Sequence, residues 1–252
     1  MSSVVPGRFD GRTIIVTGAG SGIGRATTER IIAEGGRVIA SDVVAERLDA
    51  LAAELNVGEQ LVTVAGDVAE ESAVEAIVAA AGAKIDGLAN VAGIMDGFLP
   101  VGEVDDATWD RVLRVNVTGP MKLSRAVVPL MVEAGAGAIV NVASEAGLRG
   151  SAAGAAYTTS KHAIIGLTKN TAVIYGPSGI RTNAVAPGGV KTGIEAPFKS
   201  EFAAGRLGPL FVAAGAPAEA TQLAGAITWL LSDDSSNING VVLASDGGWS
   251  AA

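Results

Sequence analysis

The sequence contains no cysteine and a single histidine among its 252 residues. The absence of cysteine excludes disulfides and thiolate metal sites, and we predict no metal in the site. It also fits a reducing compartment, so we expect a cytoplasmic protein. Aromatic residues are scarce at 4%, although 49% of the chain is apolar. A core built mainly from Ala, Val, Ile and Leu suits parallel strands covered by helices.

Basic tracts and long hydrophobic runs are missing as well. The net charge is −8, and an acidic chain without a basic tract is not expected to bind nucleic acid. The apolar stretches are shorter than the roughly 18 residues that a membrane-spanning helix needs. The first residues show no pattern of a secretory signal. We therefore expect small molecules rather than nucleic acid or a membrane as partners.

Short β-branched runs alternate with helical patterns along the chain. Strands are predicted over residues 13–17, 37–41, 61–65, 87–91, 138–143, 180–186 and 241–244. Helices are predicted over residues 23–34, 45–55, 71–81, 106–133, 154–175 and 218–231. This alternation requires a parallel sheet with right-handed crossovers and helices on both faces. We predict one α/β domain over residues 1–252, with a doubly wound, Rossmann-like, seven-stranded parallel sheet.

Two segments depart from this regular pattern. In the long helical region, Pro120 lacks the N–H that would bond the carbonyl of Asn116, so we predict a kink there. The alternative is a simple break between two helices. Residues 193–216 show no clean period and are predicted to form an irregular substrate loop or lid. Its larger apolar side chains predict a mostly apolar substrate of small to medium size: Phe198, Phe202, Leu207, Leu210 and Phe211.

A glycine turn lies between the first strand and the first helix. Gly18, Gly22 and Gly24 have the spacing Gly-x-x-x-Gly-x-Gly, which allows a backbone to approach a pyrophosphate at a helix N-terminus. Asp42 ends the second strand, where a carboxylate can bond the ribose hydroxyls of NAD and repel the 2′-phosphate of NADP. Ser21 stands where a cation could have met that phosphate. We predict NAD, with helix capping as the alternative role of Asp42.

Tyr157 and Lys161 are four residues apart and share one face of a predicted helix. An ammonium beside a phenol favours the phenolate, so we predict a pKa of Tyr157 below its usual value of about 10. Ser144 follows the predicted strand 138–143, and its hydroxyl can stabilise charge on a reacting oxygen. The alternatives are a solvated helix lysine and a capping serine.

These motifs together resemble the short-chain dehydrogenase/reductase family over essentially the whole chain. The resemblance is carried by Thr17 to Gly24, Asp67-Val68, Asn90-Val91-Ala92-Gly93, Asn116, Ser144, Tyr157 with Lys161, and Pro187-Gly188 leading to Thr192. Val91 is a small departure, because the family often has a second Asn there. We find no basic residue in the glycine turn or just after Asp42, which distinguishes the chain from NADP-preferring members.

The resemblance implies a nicotinamide cofactor and a catalytic tetrad. It implies that Tyr157 is the acid/base, that Lys161 binds the nicotinamide ribose and lowers the pKa of Tyr157, and that Ser144 holds the reacting oxygen. It implies that Asn116 helps to hold a water that relays protons. The cofactor contacts that it implies are Gly18, Ser21, Gly22, Ile23, Gly24, Asp42, Asp67, Val68, Asn90, Ala92, Gly93, Tyr157, Lys161, Pro187, Gly188, Val190 and Thr192.

The leading prediction is an NAD-dependent oxidoreductase that acts on a secondary alcohol or ketone. One alternative is a 3-oxoacyl-(acyl-carrier-protein) reductase, for which Arg149 and Arg206 could supply the basic surface. A second alternative is a dinucleotide-binding protein without catalytic activity. Because the family is commonly tetrameric, the resemblance also implies a homotetramer.

Overall fold

Seven parallel strands form the central sheet of this computed structural model, which describes residues 4–193 and 197–251. The strands of the sheet are β1 (Thr13–Thr17), β2 (Arg37–Asp42), β3 (Leu61–Ala65), β4 (Gly87–Asn90), β5 (Gly137–Val142), β6 (Ile180–Pro187) and β9 (Val242–Ser245). Two short strands, β7 (Val190–Lys191) and β8 (Ala218–Glu219), pair with each other in a separate ribbon. The order in the sheet is β3-β2-β1-β4-β5-β6-β9.

Helices cover both faces of the sheet. Their bounds are α1 (Gly22–Ala33), α2 (Ala45–Leu55), α3 (Glu71–Ala81), α4 (Asp106–Leu113), α5 (Gly119–Ala134), α6 (Ala155–Tyr175), α7 (Glu201–Leu207) and α8 (Ala220–Leu231). Side chains alternate along a strand, so Ile14 and Val16 of β1 pack in one apolar cluster with α1 and α8, whereas Ile15 packs in another with α3 and α5. Each fully buried Ile or Val contributes about 1.5–3 kcal/mol. The predicted doubly wound sheet is confirmed.

The strand order places the site. β1 pairs with β2 on one side and with β4 on the other, so the chain reverses its direction of travel across the sheet between β1 and β4. The loops that leave the carboxyl ends of these strands diverge at that point and leave a crevice, which is where such sheets bind ligands.

Two predictions about irregular segments are refined. The predicted kink is a turn of π-helix over Arg114–Thr118, between α4 and α5. The prediction of an irregular loop over residues 193–216 is wrong for its middle, because α7 and a 3₁₀ segment over Gly208–Ala214 lie there. The hydroxyl of Ser200 accepts a hydrogen bond from the Ala203 N–H at 3.0 Å and starts α7. Residues 194–196 of the predicted loop lie outside the described residues.

Across residues 4–193 and 197–251, none of the helices combines the length and apolar character that a membrane crossing needs.

Candidate active site

A cleft of about 510 Å³ opens at the carboxyl ends of β1, β2, β3 and β4. Eleven of the predicted cofactor residues line it: Gly18, Ser21, Gly22, Ile23, Gly24, Asp42, Asp67, Val68, Ala92, Gly93 and Thr192. Sequence reasoning missed the remaining lining residues, which are Val43, Arg47, Gly66, Val91, Ile94, Met95, Val115 and Gly193. Most of the missed residues directly follow a predicted strand or motif, so their proximity to it was the available signal.

The glycine turn between β1 and α1 is packed too tightly for side chains. A Cβ on Gly24 would lie 2.1 Å from the carbonyl oxygen of Gly18, and a Cβ on Gly18 would lie 3.0 Å from the Cα of Ala92. Gly18 and Gly22 also have positive φ angles of 65° and 52°. The turn leads directly into the N-terminus of α1 beside the cleft, so these residues fit the pyrophosphate of a dinucleotide.

Asp42 is buried at the edge of the cleft, where backbone groups hold its carboxylate. Its Oδ2 accepts from the Gly20 N–H and its Oδ1 from the Val44 N–H, both at 3.0 Å. No basic residue lies in the glycine turn or directly after Asp42, but Arg47, slightly further along the chain, lines the cleft as well. A Cβ on Gly20 would lie 2.7 Å from the Cβ of Arg47. The signal was missed because Arg47 lies in the first turn of α2, five residues beyond Asp42.

Asp67 lies at the cleft after β3 and is held from two sides. Its Oδ1 accepts from the Ala69 N–H at 2.9 Å, and its Oδ2 pairs with Arg114 from the π-helical turn. Val68 packs against Gly119, where an added Cβ would lie 2.8 Å from its side chain. The π-helical turn and the loop after β3 therefore support each other.

Asn90 is not among the described residues that line the cleft, and its contact with the cofactor stays a prediction. The Asn90 amide nitrogen donates to Asn141 Oδ1 at 2.8 Å and to Ser124 Oγ at 3.3 Å, and the side chain is buried. It joins the ends of β4 and β5 because a buried amide requires partners. The next two residues, Val91 and Ala92, donate their N–H groups to Thr17 Oγ1 at 3.0 and 3.1 Å.

The predicted residues after β6 divide into two groups. Thr192 lines the cleft beside Gly22. Pro187, Gly188 and Val190 do not line the cleft in the described part of the chain. A Cβ on Gly188 would lie 3.0 Å from Asp246, and Val190 packs against the core, so both positions are set by packing.

Tyr157, Ser144 and Lys161 meet beside the cleft, although none of the three is among the described residues that line it. The Ser144 hydroxyl is close enough to the Tyr157 phenol to lower its pKa, and the Lys161 ammonium lies 5.3 Å from the centre of the Tyr157 ring. Lys161 Nζ donates to the carbonyl of Val142, at the end of β5, at 2.8 Å. A Cβ on Gly93 would lie 3.5 Å from the same nitrogen, so the Lys161 ammonium lies beside a residue that lines the cleft.

Burial dominates the protonation of both groups. It raises the pKa of Tyr157 to about 12, against the hydrogen bond from Ser144, and it lowers the pKa of Lys161 to about 8. The predicted low pKa of Tyr157 is therefore wrong. Desolvation penalises the phenolate more than the neighbouring groups stabilise it.

Asn116 lies in the π-helical turn and is fully buried. Its Oδ1 accepts from the Ile94 N–H at 2.9 Å, and its Nδ2 donates to the Ile94 carbonyl at 3.0 Å and to Ser160 Oγ at 3.1 Å. It therefore joins the loop after β4 to α6 one residue before Lys161. The predicted tetrad residues all lie in this region.

An aromatic wall stands beside Tyr157. Its four rings contact one another: Phe98, Phe198, Phe211 and Trp249. Phe98 and Phe198 stack at 4.2 Å, and Trp249 meets Phe211 edge-on at 5.5 Å. Leu207 and Tyr157 pack against the same cluster. Phe202 does not join it, because it is 74% exposed, and it therefore adds no support to the prediction of an apolar substrate.

An ion pair, a hydrogen bond and a cation–π contact connect the C-terminal segment to the residues that follow Ser144. The buried Glu145 carboxylate pairs with Arg149, which donates to the Trp249 carbonyl and lies 5.4 Å from its ring centre. Burial raises the pKa of Glu145, while Arg149 opposes that rise. Arg149 is therefore engaged within its own chain.

Known proteins resemble this chain along most of its length. The family model described as short chain dehydrogenase matches residues 12–202. The 3beta-hydroxysteroid dehydrogenase 2 of Eggerthella lenta is 39% identical over 248 residues, which cover 96% of this chain and 95% of that protein. The crystal structure of levodione reductase has a TM-score of 0.87 at 37% identity and covers 97% of this chain and 99% of its own.

A further solved structure contains a cofactor. It is assigned as an NAD(P)-dependent gluconate 5-dehydrogenase from Beutenbergia cavernae and holds NADP at low occupancy. Its TM-score is 0.86 at 35% identity, with 98% of this chain and 100% of that chain covered. The resemblance inferred from the motifs is thereby confirmed. The chain belongs to the short-chain dehydrogenase/reductase family, and it is an oxidoreductase with the fold that binds a nicotinamide dinucleotide.

Proposed function

We propose that the protein transfers a hydride between NAD(H) and a secondary alcohol or ketone of mostly apolar character. The observation that carries the proposal is the meeting of Ser144, Tyr157 and Lys161 next to Gly93, which lines a cleft with a glycine turn. These groups supply a proton donor, a hydrogen bond for a reacting oxygen and a fixed positive charge.

Tyr157 is the proposed acid/base. In reduction its phenol bonds the carbonyl oxygen and donates its proton, and in oxidation the phenolate accepts the proton of the alcohol. A bound nicotinamide supplies or accepts the hydride. Because the pKa of Tyr157 is raised to about 12, the form that donates a proton predominates at neutral pH.

Ser144, Lys161 and Asn116 support this chemistry. The hydrogen bond from Ser144 lowers the pKa of Tyr157, against its burial. Lys161 keeps its proton below a pH of about 8, stabilises the phenolate by its charge and would bind the nicotinamide ribose. Asn116, fixed between Ile94 and Ser160, is proposed to hold a water through which the proton returns.

The choice of NAD rests on Asp42. Its carboxylate is held at the cleft by two backbone N–H groups, where it would accept from ribose hydroxyls and repel a 2′-phosphate. Arg47 favours NADP, because a guanidinium pairs well with a phosphate. We propose NAD because Asp42 is buried and fixed, whereas Arg47 is exposed.

The aromatic wall supports an apolar substrate. Phe98, Phe198, Phe211 and Trp249 offer flat apolar surface beside Tyr157. One of the relatives is named as a hydroxysteroid dehydrogenase, and a hydroxysteroid is a mostly apolar alcohol. A carrier-protein substrate is less well supported, because Arg149 is engaged by Glu145 and Trp249. The presence of Ser144, Tyr157 and Lys161 argues against a protein that binds a dinucleotide without catalysis.

We also propose a homo-oligomer. Val173 and Ile174 on α6 are 75% and 57% exposed, and side chains of this kind are commonly covered by a partner. Light scattering of the purified protein tests this, and a monomer at micromolar concentration would contradict it.

Steady-state turnover with NADH and NADPH tests the function. The panel should hold apolar cyclic ketones, a hydroxysteroid, a sugar acid and an acetoacetyl thioester. We expect the highest kcat/KM for NADH with an apolar ketone, by at least about tenfold over the polar substrates. A preference for NADPH with the thioester would favour the carrier-protein reductase. NADH binding without turnover across the panel would favour the non-catalytic alternative.

A further inference from the structure

The loop at residues 96–99, after β4, contains a buried carboxylate that has no role in the chemistry above. Asp96 is 1% exposed, and both of its oxygens accept hydrogen bonds from backbone N–H groups. Its Oδ1 accepts from Phe98 at 3.0 Å and its Oδ2 from Tyr157 at 2.8 Å. Charge-assisted bonds of this kind replace the lost hydration and fix the groups that make them.

The bond to Tyr157 caps the helix that carries the phenol. Gly154 precedes α6 and has no side chain to bond the N–H groups of the first turn. The 96–99 loop provides the partners instead: the Leu99 carbonyl accepts from Ala155 at 2.9 Å, and Asp96 accepts from Tyr157. The start of α6 is therefore set by residues about 60 positions earlier in the sequence.

The bond to Phe98 fixes part of the aromatic wall. Phe98 has a φ of +59°, which a residue with a Cβ rarely adopts. Its ring nevertheless stacks on Phe198 and meets Phe211 edge-on at 5.9 Å. The neighbouring carbonyl of Gly97 accepts from the Lys199 N–H at 2.9 Å, which ties the start of the substrate segment to the same loop.

We propose that Asp96 is a positioning residue for the reaction, because it fixes Tyr157 and the Phe98 wall relative to each other. It acts through those two residues and does not contact the substrate. The inference rests on the proposed function, in which Tyr157 is the acid/base and the wall holds the substrate.

A change in pH dependence distinguishes this role from simple support. The charged groups that face Tyr157 are Asp96 from the loop and Lys161 from α6, and Ser144 from the segment after β5 adds an uncharged hydrogen bond. The charge of Asp96 raises the pKa of Tyr157. Its removal therefore moves the pH profile of alcohol oxidation to lower pH.

The test compares D96N with D105N. Asn has nearly the same shape as Asp, but it presents one acceptor oxygen where Asp96 uses two. Asp105 is an exposed carboxylate that accepts from the Thr108 N–H at 2.6 Å and caps α4. D105N thus makes the same chemical change at the start of a helix that does not carry Tyr157.

We expect kcat of D96N to fall about 10- to 100-fold, with a smaller change in KM, since small misplacements of a reacting group have effects of this size. The pH profile of oxidation should move to lower pH, and NADH affinity, measured by fluorescence titration, should stay within about twofold of wild type. In the protein without NADH, the Tyr157 amide hydrogen should exchange faster. D105N should retain wild-type values throughout.

Wild-type kcat in D96N, or an unshifted pH profile together with lost NADH binding, would overturn the proposal. Failure of both D96N and D96S to fold would also overturn it, because Asp96 would then serve folding as a whole. An inactive wild-type protein would count against the proposed function instead. Amide exchange at Tyr157 would then still decide whether Asp96 fixes α6.

Discussion

The cleft with the glycine turn, called the dinucleotide end, and the adjoining cluster of Ser144, Tyr157 and Lys161, called the reaction end, are held together by different kinds of contact. At the dinucleotide end backbone packs on backbone, so that a Cβ on Gly24 would lie 2.1 Å from the Gly18 oxygen. At the reaction end side chains from distant stretches meet, as where Lys161 reaches the Val142 carbonyl and lies beside the Tyr157 ring. Close backbone packing tolerates no added atom, whereas side-chain contacts can be exchanged. The first end therefore has a shape that a single added atom would disturb, and the second has side chains that substitution can change.

A buried aspartate organises each end, and the two differ in what else they do. Asp42 and Asp96 each accept two backbone N–H hydrogen bonds, at 3.0 Å for both oxygens of Asp42 and at 3.0 and 2.8 Å for those of Asp96. Asp42 also lines the cleft, whereas Asp96 is 1% exposed and does not. Asp42 can therefore both hold the backbone of its site and contact a ligand, whereas Asp96 can only hold the groups that form its site.

The largest expected effect is at the dinucleotide end. We expect G24A to abolish measurable NADH binding, because the added methyl group would collide with the Gly18 carbonyl oxygen and displace the turn. Fluorescence titration with NADH measures the loss. The matched control is G166A, in α6, where an added Cβ meets no described atom within 4 Å and should stabilise the helix by up to about 1 kcal/mol. Binding by G24A within tenfold of wild type would contradict the account of the turn.

At the reaction end, loss of chemistry should leave binding intact. We expect Y157F to lower kcat by about 10²- to 10⁴-fold, because the proton donor is removed while the ring remains. NADH affinity should stay near that of wild type. The control is Y175F at the other end of α6, which should have wild-type kcat. Equal loss of NADH binding and turnover in Y157F would mean that the two ends are not separable.

The regular elements and the glycine turn could be predicted because local signals determine them. The strand 13–17 and the helices 45–55 and 71–81 agree with β1, α2 and α3, since each has a β-branched run or a helical period of its own. The disturbance near Asn116 could be predicted because Pro120 removes a backbone donor.

Features that could not be predicted from the sequence lie where residues far apart in the sequence come into contact. The structural role of the Asn90 amide had no signal in the sequence, because its partner Asn141 is 51 positions away. Asp96 carried no signal, because its partner Tyr157 is 61 positions away and its loop has no period. The pKa of Tyr157 was mispredicted because its burial depends on the aromatic wall and not on the spacing to Lys161.

Burial of Lys161 at the reaction end should also lower the free energy of unfolding, by an amount that depends on pH. The pKa of Lys161 is about 8 in the folded protein, whereas a fully solvated lysine has a pKa of 10.5. Between these values the unfolded chain holds a proton that the folded chain has released, so stability rises with pH. Relative to K161M, the free energy of unfolding of the wild type should rise by on the order of 3 kcal/mol between pH 7 and 10.5.

Urea unfolding at pH 7, 8.5 and 10.5 measures this difference. Tyr157 titrates in both proteins and largely cancels in the comparison. The control is K169M, which removes an exposed lysine of the same helix and should differ from wild type by a constant amount at all three pH values. A constant difference for K161M as well would show that burial of Lys161 does not penalise its charge.

The smallest expected effect is on cofactor affinity, and it distinguishes two roles of Asp42: contact with the ribose and support of the surrounding backbone. The proposed contact of Asp42 with the ribose would be a charge-assisted hydrogen bond of about 1.5–3 kcal/mol, part of which Asn can replace, so we expect D42N to bind NADH about tenfold more weakly. NADPH should bind more tightly, because the carboxylate that repels its phosphate is gone. D49N removes the same charge from an exposed position on α2 and should change neither affinity by more than about twofold.

If Arg47 receives the 2′-phosphate, R47A in the D42N background abolishes the gain for NADPH. If D42N binds both NADH and NADPH more weakly, Asp42 has no direct contact with the cofactor. It would then act as Asp96 does at the reaction end, only by holding backbone N–H groups in place.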